Sequence, residues 1–142
     1  MDNIDKKILE ELQKNSTQPL SELSKKVGLS NTPCWNRIKK LEEEKIIKSK
    51  SIIIDNKKIN LPITVFLSIS IQNHTERWLK NFEKIVNKYD QIIEVHRLTG
   101  RNSDYQITIL SPSIEEYDKF QQTLIKEIEC TNMTSHISLQ TI

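Results

Sequence analysis

No apolar stretch of the sequence approaches the roughly 18 residues that a membrane-spanning helix needs. The first residues include the acids Asp2 and Asp5 and lack an apolar core, so they do not resemble a signal peptide. The only two cysteines, Cys34 and Cys130, show no pairing pattern, which argues against a disulfide framework and fits a reducing compartment. From these absences we expect a soluble cytoplasmic protein that does not associate with a membrane.

Glycine and histidine are also scarce. The sequence has two glycines, Gly28 and Gly100, where average usage of about 7% corresponds to about ten. Each therefore marks a position where the backbone conformation demands glycine. The histidines, His74, His96 and His136, are scattered without metal-ligand spacing, and no Ser-His-Asp or Cys-His set can be nominated. The sequence thus predicts neither a metal site nor a catalytic centre.

Charge is distributed unevenly along the chain. The formal net charge of +2 implies little by itself. Residues 1–62 contain 13 Lys and Arg against 9 Asp and Glu, whereas residues 63–142 contain 8 against 10. A basic first part and a mildly acidic second part suggest that the first part meets a polyanion. A chance division of solvated surface charge is the alternative explanation.

The first part of the chain is predicted to form three short helices. Asp2 can cap the first helix. The buried stripe of that helix follows at helical spacing and comprises Ile4, Ile8, Leu9 and Leu12. Pro19 suits the first turn of the second helix, and Gly28 ends that helix in the left-handed conformation. With Ser30 as cap of the third helix, the pattern predicts a helix-turn-helix.

The third helix has two different faces. Cys34, Ile38 and Leu41 share one face and point inward, so we interpret Cys34 as a core residue rather than a reactive thiol. The other residues form the surface that a DNA groove would meet. We predict that DNA is bound there by Asn31, Thr32, Trp35, Asn36, Arg37, Lys39 and Lys40. Asparagine can read adenine edges, threonine can touch a thymine methyl, and lysine and arginine can neutralise phosphate. Trp35 either packs against a neighbouring element or lies on the DNA-facing rim.

The segment after the third helix connects two predicted domains. Glu42–Glu44 would repel phosphate, so we expect DNA contacts on the earlier turns of the helix. Ile52–Ile54 is predicted to form a strand. The lysines around it form either a basic wing or an ordinary solvated linker. The predicted domains are residues 1–62, which bind DNA, and residues 63–142, which dimerise and bind an effector.

The second part has a strand-helix-strand-strand-helix-strand pattern. Predicted strands lie at residues 64–71, 92–99, 105–109 and 133–139. Two amphipathic helices begin at the caps Thr75 and Ser113, and Glu116 completes a capping box with Ser113. This order is the ferredoxin-like βαββαβ arrangement, an antiparallel sheet with two helices on one side. The uncovered sheet face carries apolar groups such as Phe66, so we expect a homodimer to form through this part.

Three stretches support a family resemblance. They are D-x-x-D-x-K-I-L-x-x-L-Q at Asp2–Gln13, E-L-S-x-x-V-G-L-S-x-x-P-C-W-x-R-I-K-x-L-E at Glu22–Glu42, and T-G-x-x-x-D-Y at Thr99–Tyr105. With these motifs the chain resembles, over essentially its whole length, the Lrp/AsnC family of transcription factors. The resemblance implies an α+β fold, in which an N-terminal helix-turn-helix (winged-helix-like) domain precedes a ferredoxin-like domain that dimerises and often assembles into octamers.

The resemblance also implies an effector site. Family members typically bind a small effector, commonly an amino acid, between ferredoxin-like domains, and this places Gly100, Asp104 and Tyr105 near an effector pocket. Alternatively, Gly100 is a plain turn residue and Tyr105 a core residue. The chain departs from the family twice. The family usually has glycine in place of Lys45, and two residues rather than the three of Arg101–Ser103 in the effector loop.

We therefore expect a sequence-specific, DNA-binding transcriptional regulator that is dimeric or octameric. Its partners would be double-stranded DNA, further copies of itself and a small amino-acid effector, with no other cofactor, and it would associate with the nucleoid. Two alternatives stay open. Related two-domain proteins are haem-pathway decarboxylases that act on a tetrapyrrole, so the fold does not exclude catalysis. An architectural DNA-binding protein with weak sequence preference is the other.

Overall fold

The computed structural model describes all 142 residues, which divide into two compact units. We call Met1–Ile53 the helical unit and Ile54–Ile142 the sheet unit. The predicted domain boundary after residue 62 lies farther along the chain, and residues 54–62 form neither helix nor strand. The predicted α+β class and the order of elements are confirmed. No helix is long and apolar enough to cross a lipid bilayer.

The helical unit consists of three helices around a small apolar core. They are α1 (Asn3–Lys14), α2 (Leu20–Val27) and α3 (Asn31–Glu43). The buried core residues are Ile8, Leu23, Val27, Cys34, Ile38 and Leu41. Cys34 is fully buried, as interpreted from the sequence, and burial raises the pKa of its thiol. The core holds α3 by one face only.

The turn between α2 and α3 depends on Gly28. This residue has φ +76°, and its N–H donates to the Lys25 carbonyl at 3.2 Å. The Leu29 N–H reaches back to the Ser24 carbonyl at 2.8 Å. These two bonds form the Schellman motif, whose left-handed residue is usually glycine because a side chain there is strained. The predicted role of Gly28 is confirmed, and the turn leads the chain directly into α3.

The end of α3 has the same geometry without a glycine. The Lys45 N–H donates to the Glu42 carbonyl at 3.1 Å, and the Ile46 N–H to the Leu41 carbonyl at 3.0 Å. Lys45 therefore takes the left-handed position, with φ +58°. This is the position at which the family usually has glycine. The helix ends as glycine would end it, but a lysine bears the backbone strain.

The sheet unit has four strands and two helices. These elements are β1 (Ile63–Ser70), α4 (Glu76–Lys88), β2 (Ile92–Arg97), β3 (Tyr105–Ser111), α5 (Ile114–Glu127) and β4 (Asn132–Ile137). The strand order is β2-β3-β1-β4, and every neighbouring pair is antiparallel. The predicted βαββαβ order of the sheet unit is confirmed.

The two faces of β1 differ in burial, as its alternation predicted. Val65, Leu67 and Ile69 are completely buried in a core that α4 and α5 also line. Phe66 and Ser68 lie on the opposite face and are only half-buried. Because β1 lies between β3 and β4, the apolar residues of its inner face are covered from all sides. Neither α4 nor α5 covers the outer face, because both line the core on the inner face.

One predicted strand is absent, and the last predicted strand ends earlier than expected. Ile52–Ile54 forms no strand and pairs with none, and the Ile53 side chain is fully exposed. β4 ends at Ile137, so Leu139 lies beyond the sheet and is 97% exposed. Apolar, β-branched residues such as those of Ile52–Ile54 favour strand conformation, but a strand also needs a hydrogen-bonded neighbour, and this segment has none.

The capping box predicted at Ser113 forms only in part. The Ser113 hydroxyl accepts the Glu116 N–H at 3.1 Å, so the cap itself is confirmed. The Glu116 carboxylate does not return the bond and lies 3.5 Å from the Lys119 ammonium instead. The reciprocal capping box is found in α1, between Asp2 and Asp5.

Replacing Lys45 by glycine should stabilise the helical unit. Glycine takes φ +58° without the clash that a side chain causes, so we expect Lys45→Gly to raise the free energy of unfolding by about 1 kcal/mol. Urea titration followed by far-UV circular dichroism measures the change. Lys48→Gly is the matched control, because Lys48 lies just outside the motif and its φ is not positive. Equal effects of the two variants would contradict this explanation.

Candidate DNA interface and effector groove

The outer side of α3 is an exposed polar surface opposite the buried face. Six of the seven predicted DNA-binding residues lie within one half of the helix circumference, because their spacing repeats every four residues. They are Asn31, Thr32, Trp35, Asn36, Lys39 and Lys40. Arg37 lies at the edge of this surface and is half-buried. The inward face fixes the helix, so the outer side chains are presented on a rigid element.

Trp35 lies on the outer surface of α3 rather than in a core. Its side chain is 49% exposed, and the Lys39 ammonium lies 5.6 Å from the centre of its ring. This distance allows a cation–π contact. Of the two interpretations left open by the sequence, the structure agrees with the outer-surface position and not with packing against another element.

Asn31 has a structural contact as well as an exposed position. Its Oδ1 lies 2.8 Å from the hydroxyl of Ser24, a buried residue of α2. Bidentate reading of adenine uses both the oxygen and the nitrogen of an asparagine amide. With its oxygen engaged, Asn31 is less suited to this contact than Asn36, which is exposed in the middle of the helix.

Arg37 is held by the first turn of α1. Its Nη1 donates to Asp2 Oδ2 at 2.6 Å and to Asp5 Oδ1 at 2.9 Å. The remaining oxygens of these carboxylates accept the backbone N–H groups of the reciprocal capping box, at 2.9 and 3.0 Å. All four carboxylate oxygens are therefore used. We call Asp2, Asp5 and Arg37 the N-terminal clamp, which ties α3 to the beginning of α1.

The clamp lowers the pKa of one carboxylate in particular. The backbone hydrogen bond from Asp5, followed by the Arg37 guanidinium, lowers the pKa of Asp2 from 3.8 to about 2. The same carboxylates raise the pKa of Arg37. The sequence predicted Asp2 as the cap of the first helix but gave neither Asp2 nor Asp5 a partner on α3, because residues more than thirty positions apart show no spacing signal.

The lysines on α3 are paired with the glutamates at its end. Lys39 Nζ lies 2.9 Å from Glu42 Oε2, and Lys40 Nζ lies 3.8 Å from Glu44 Oε1. Lys50, which follows the helix, lies 3.0 Å from the other oxygen of Glu42. From the sequence we expected these glutamates only to repel phosphate. Their spacing of three and four residues from the lysines was the signal that could have shown the pairs.

An open groove of about 1220 Å³ lies at one end of the sheet unit. It runs along the first turns of α4 and the turn before β4. The residues that line it include Gln72, Asn73, Arg77, Trp78, Lys84 and Cys130. Polar and charged side chains therefore surround a partly apolar wall formed by Trp78. Burial raises the pKa of the Cys130 thiol at this wall.

Two of the three predicted effector residues lie behind this groove. Asp104 Oδ2 accepts the backbone N–H of Ile71 at 2.8 Å, and Ile71 lines the groove. The Tyr105 hydroxyl lies 2.6 Å from His74 Nε2, in the loop before α4. Tyr105 is buried and its ring packs with Trp78, so it is also the core residue of the alternative interpretation. Gly100 does not line the groove.

The additional residue in the loop before β3 is accommodated locally. Asn102 adopts φ +63°, a left-handed conformation that asparagine tolerates better than most residues. Asp104 keeps regular sheet-like bonds, because its N–H donates to the Ile69 carbonyl and its carbonyl accepts the Leu98 N–H, both at 2.8 Å. The longer loop therefore leaves Asp104 and Tyr105 attached to the sheet.

The N-terminal clamp should make the stability of the protein depend on acidity. The pKa of Asp2 is lower in the folded protein, so its contribution is present above the ordinary value of 3.8 and is lost as the pH falls through about 2. We expect Asp2→Asn to destabilise the protein at neutral pH and to have progressively less effect towards pH 2. Urea titrations across this range measure the difference.

The control for this prediction is Glu10→Gln, on the exposed part of the same helix. It removes a carboxylate that no ion pair holds, so the pH profile of its stability should follow that of the unmodified protein. An Asp2→Asn defect that is the same at every pH would contradict the assignment.

Known proteins resemble this chain over both units. The winged helix-turn-helix DNA-binding family matches residues 1–48, and the Lrp/AsnC ligand binding domain matches residues 64–142. The glutamate uptake regulatory protein of Zymomonas mobilis is 39% identical over 99% of this chain and 85% of its own length. The DNA-binding transcriptional activator DecR of Escherichia coli K12 is 32% identical over 100% of this chain and 93% of its own.

Solved structures agree with the sequence relatives. An AsnC family transcriptional regulator from Agrobacterium tumefaciens has a TM-score of 0.91 at 39% identity, with 100% of this chain and 92% of that chain covered. A transcriptional regulator from Neisseria meningitidis, solved as a complex with L-Met, has a TM-score of 0.92 at 28% identity and the same coverage.

Proposed function

This chain belongs to the Lrp/AsnC family of DNA-binding transcriptional regulators, and from this premise we propose that α3 is the helix that reads DNA. The observation that supports the proposal is the division of α3 into two faces. Cys34, Ile38 and Leu41 are buried and fix the helix, while its polar side chains are exposed along the opposite half. A helix held in this way can enter the major groove without losing its packing.

The side chains proposed to contact DNA fall into two groups by chemistry. Asn31, Thr32 and Asn36 have the groups that contact base edges. Of the two asparagines, Asn36 contributes more to base reading, since the side-chain oxygen of Asn31 is hydrogen-bonded to Ser24. Phosphate affinity comes from Arg37, Lys39 and Lys40, with Trp35 on the rim. The Arg37 guanidinium uses only Nη1 in the N-terminal clamp, so its other nitrogens are available to a phosphate at the helix edge.

The functional protein is proposed to be a homodimer that can assemble further into an octamer. The uncovered face of the sheet, with Phe66, is the surface we assign to the dimer contact. Two copies of α3 would then meet successive major grooves about 34 Å apart, so the DNA site should be pseudo-palindromic. Since its partner is chromosomal DNA, the protein would act in the cytoplasm at the nucleoid.

A small amino acid is the effector that we propose for the sheet unit. A related structure contains L-Met. The site would involve the loop with Gly100, Asp104 and Tyr105, and it requires no other cofactor. An effector can change DNA binding only if it binds one arrangement of the protein more tightly than another. Asp104 and Tyr105 hold the segment that lines the groove, so they can relay such a preference to α4.

The alternative functions have weaker support. The tetrapyrrole decarboxylase hypothesis is not favoured, because the relatives described above are regulators of transcription. We therefore infer that the chain acts by binding and not by catalysis. An architectural DNA-binding role would need little base specificity, and the exposed Thr32 and Asn36 argue for sequence reading instead. A genome-wide binding profile distinguishes a local regulator from an architectural protein.

Substitution of Lys39 and Asn36 should separate phosphate binding from base reading. Lys39→Ala should weaken specific and random DNA about equally and reduce the salt dependence, because it removes a phosphate contact. Asn36→Ala should narrow the difference between specific and random DNA by about 1–3 kcal/mol. Gel-shift titrations at several salt concentrations, with the protein's own promoter region as the specific DNA, measure both effects. The reverse pattern would overturn these roles, and no DNA binding at all would overturn the function.

At least one amino acid should bind the sheet unit and stabilise it. A ligand that binds the native state raises its melting temperature, so a thermal-shift screen of all amino acids should find one or more that do so. Asp104→Asn weakens the attachment of Ile71 and should reduce this shift, whereas Asp90→Asn, exposed and away from the groove, should retain it. A screen in which no amino acid raises the melting temperature would contradict the effector proposal.

A further inference from the structure

One carboxylate at the end of α3 is placed between two lysines. Glu42 Oε2 lies 2.9 Å from the ammonium of Lys39, and Glu42 Oε1 lies 3.0 Å from that of Lys50. The Glu42 side chain is 29% exposed, whereas the two lysine side chains are 45% and 47% exposed. Each oxygen of the carboxylate therefore contacts a different lysine. The two lysines together shield the carboxylate, which is less exposed than they are.

This arrangement resembles the way lysines hold a phosphate. An ammonium group binds an anionic oxygen as a point charge, and a carboxylate and a phosphate offer it the same kind of acceptor. The pairs with Lys39 and then Lys50 lower the pKa of Glu42. In the free protein, Glu42 thus makes the kind of contact with Lys39 that a phosphate oxygen can make.

The neighbouring glutamate has a different environment. Glu43 lies on the same helix and is exposed, but it forms no ion pair with a lysine. Lys39 is also restrained by the Trp35 ring, 5.6 Å away, which keeps its ammonium near the outer surface of α3. Of these two adjacent glutamates, Glu42 pairs with a lysine of the proposed DNA-binding surface and Glu43 does not.

We propose that Glu42 is an internal counter-charge, which a DNA phosphate must displace from Lys39 and Lys50, and that it thereby limits the affinity for DNA. The proposal rests on the proposed function of α3. Binding to random DNA comes from phosphate neutralisation and the release of counterions. When phosphate replaces Glu42, the freed carboxylate must be neutralised by a cation from solution, so the net release of ions is smaller.

Neutralising Glu42 should therefore tighten DNA binding and make it more dependent on salt. We expect Glu42→Gln to raise the affinity for random DNA on the order of fivefold at low salt, as for the loss of a competing surface pair. The slope of log affinity against log salt should steepen by about one, the change expected for one additional phosphate contact. Fluorescence anisotropy with a labelled random duplex at a series of salt concentrations measures both quantities.

Glu43→Gln is the matched control, since it makes the same change in net charge one residue away. Its affinity and salt slope should change clearly less than those of Glu42→Gln. Equal effects of the two variants, or weaker binding by Glu42→Gln, would overturn the proposal. In a Lys39→Gln background, Glu42→Gln should gain less affinity, because one of the two competing lysines is already absent. An undiminished gain there would likewise contradict the proposal.

The outcome of the same titrations distinguishes this proposal from the function on which it rests. If the unmodified protein does not bind DNA, or binds it independently of salt, the proposed function of α3 fails. If it binds with normal salt dependence but Glu42→Gln behaves like Glu43→Gln, only the counter-charge proposal fails. Should Glu42→Gln lower the melting temperature, Glu42→Met repeats the test with a neutral side chain that favours helix, and the same comparison with Glu43→Gln applies.

Discussion

The DNA-binding unit depends on the burial of one narrow face of α3. Cys34, Ile38 and Leu41 pack against α1 and α2, and burial of a side chain such as leucine or isoleucine contributes about 1.5–3 kcal/mol each. In a unit of this size few other apolar contacts can hold the helix. The N-terminal clamp adds a polar attachment from the edge of the helix, through Arg37. The outer half of α3 does not pack in this core and is therefore available to contact DNA.

Carboxylates of the protein compete with DNA phosphates for the cations of this free surface. The cations on and beside α3 are partly neutralised within the protein, by Glu42 for Lys39 and by the clamp carboxylates for Arg37. Under the counter-charge proposal, a DNA phosphate must therefore displace Glu42 at Lys39, whereas Arg37 keeps nitrogens outside the clamp that a phosphate can contact. A regulator benefits from such an arrangement, because excessive affinity for random DNA would retain it away from its sites.

The departures from the family pattern show how a fold tolerates local strain. α2 and α3 end in the same Schellman motif, yet the left-handed residue is Gly28 in one and Lys45 in the other. In the sheet unit, Asn102 absorbs the longer loop, and Asp104 keeps its bonds to β1. In both cases the surrounding hydrogen bonds and packing determine the backbone path, and the residue in the special position accepts the conformation they require.

The sequence by itself determined the helices, the order of strands and the buried faces, because helical and strand periodicities are local properties of residues such as Cys34, Ile38 and Val65. It also placed Asn31, Asn36 and Lys39 on an outer surface. Only the tertiary structure decided which partners these side chains have. Arg37 meets Asp2 and Asp5, and Tyr105 meets His74, across more than thirty residues. Ile52–Ile54 stays unpaired despite its composition. Ion pairs, hydrogen bonds and strand pairing depend on which distant segments the fold brings together, and no local pattern contains that information.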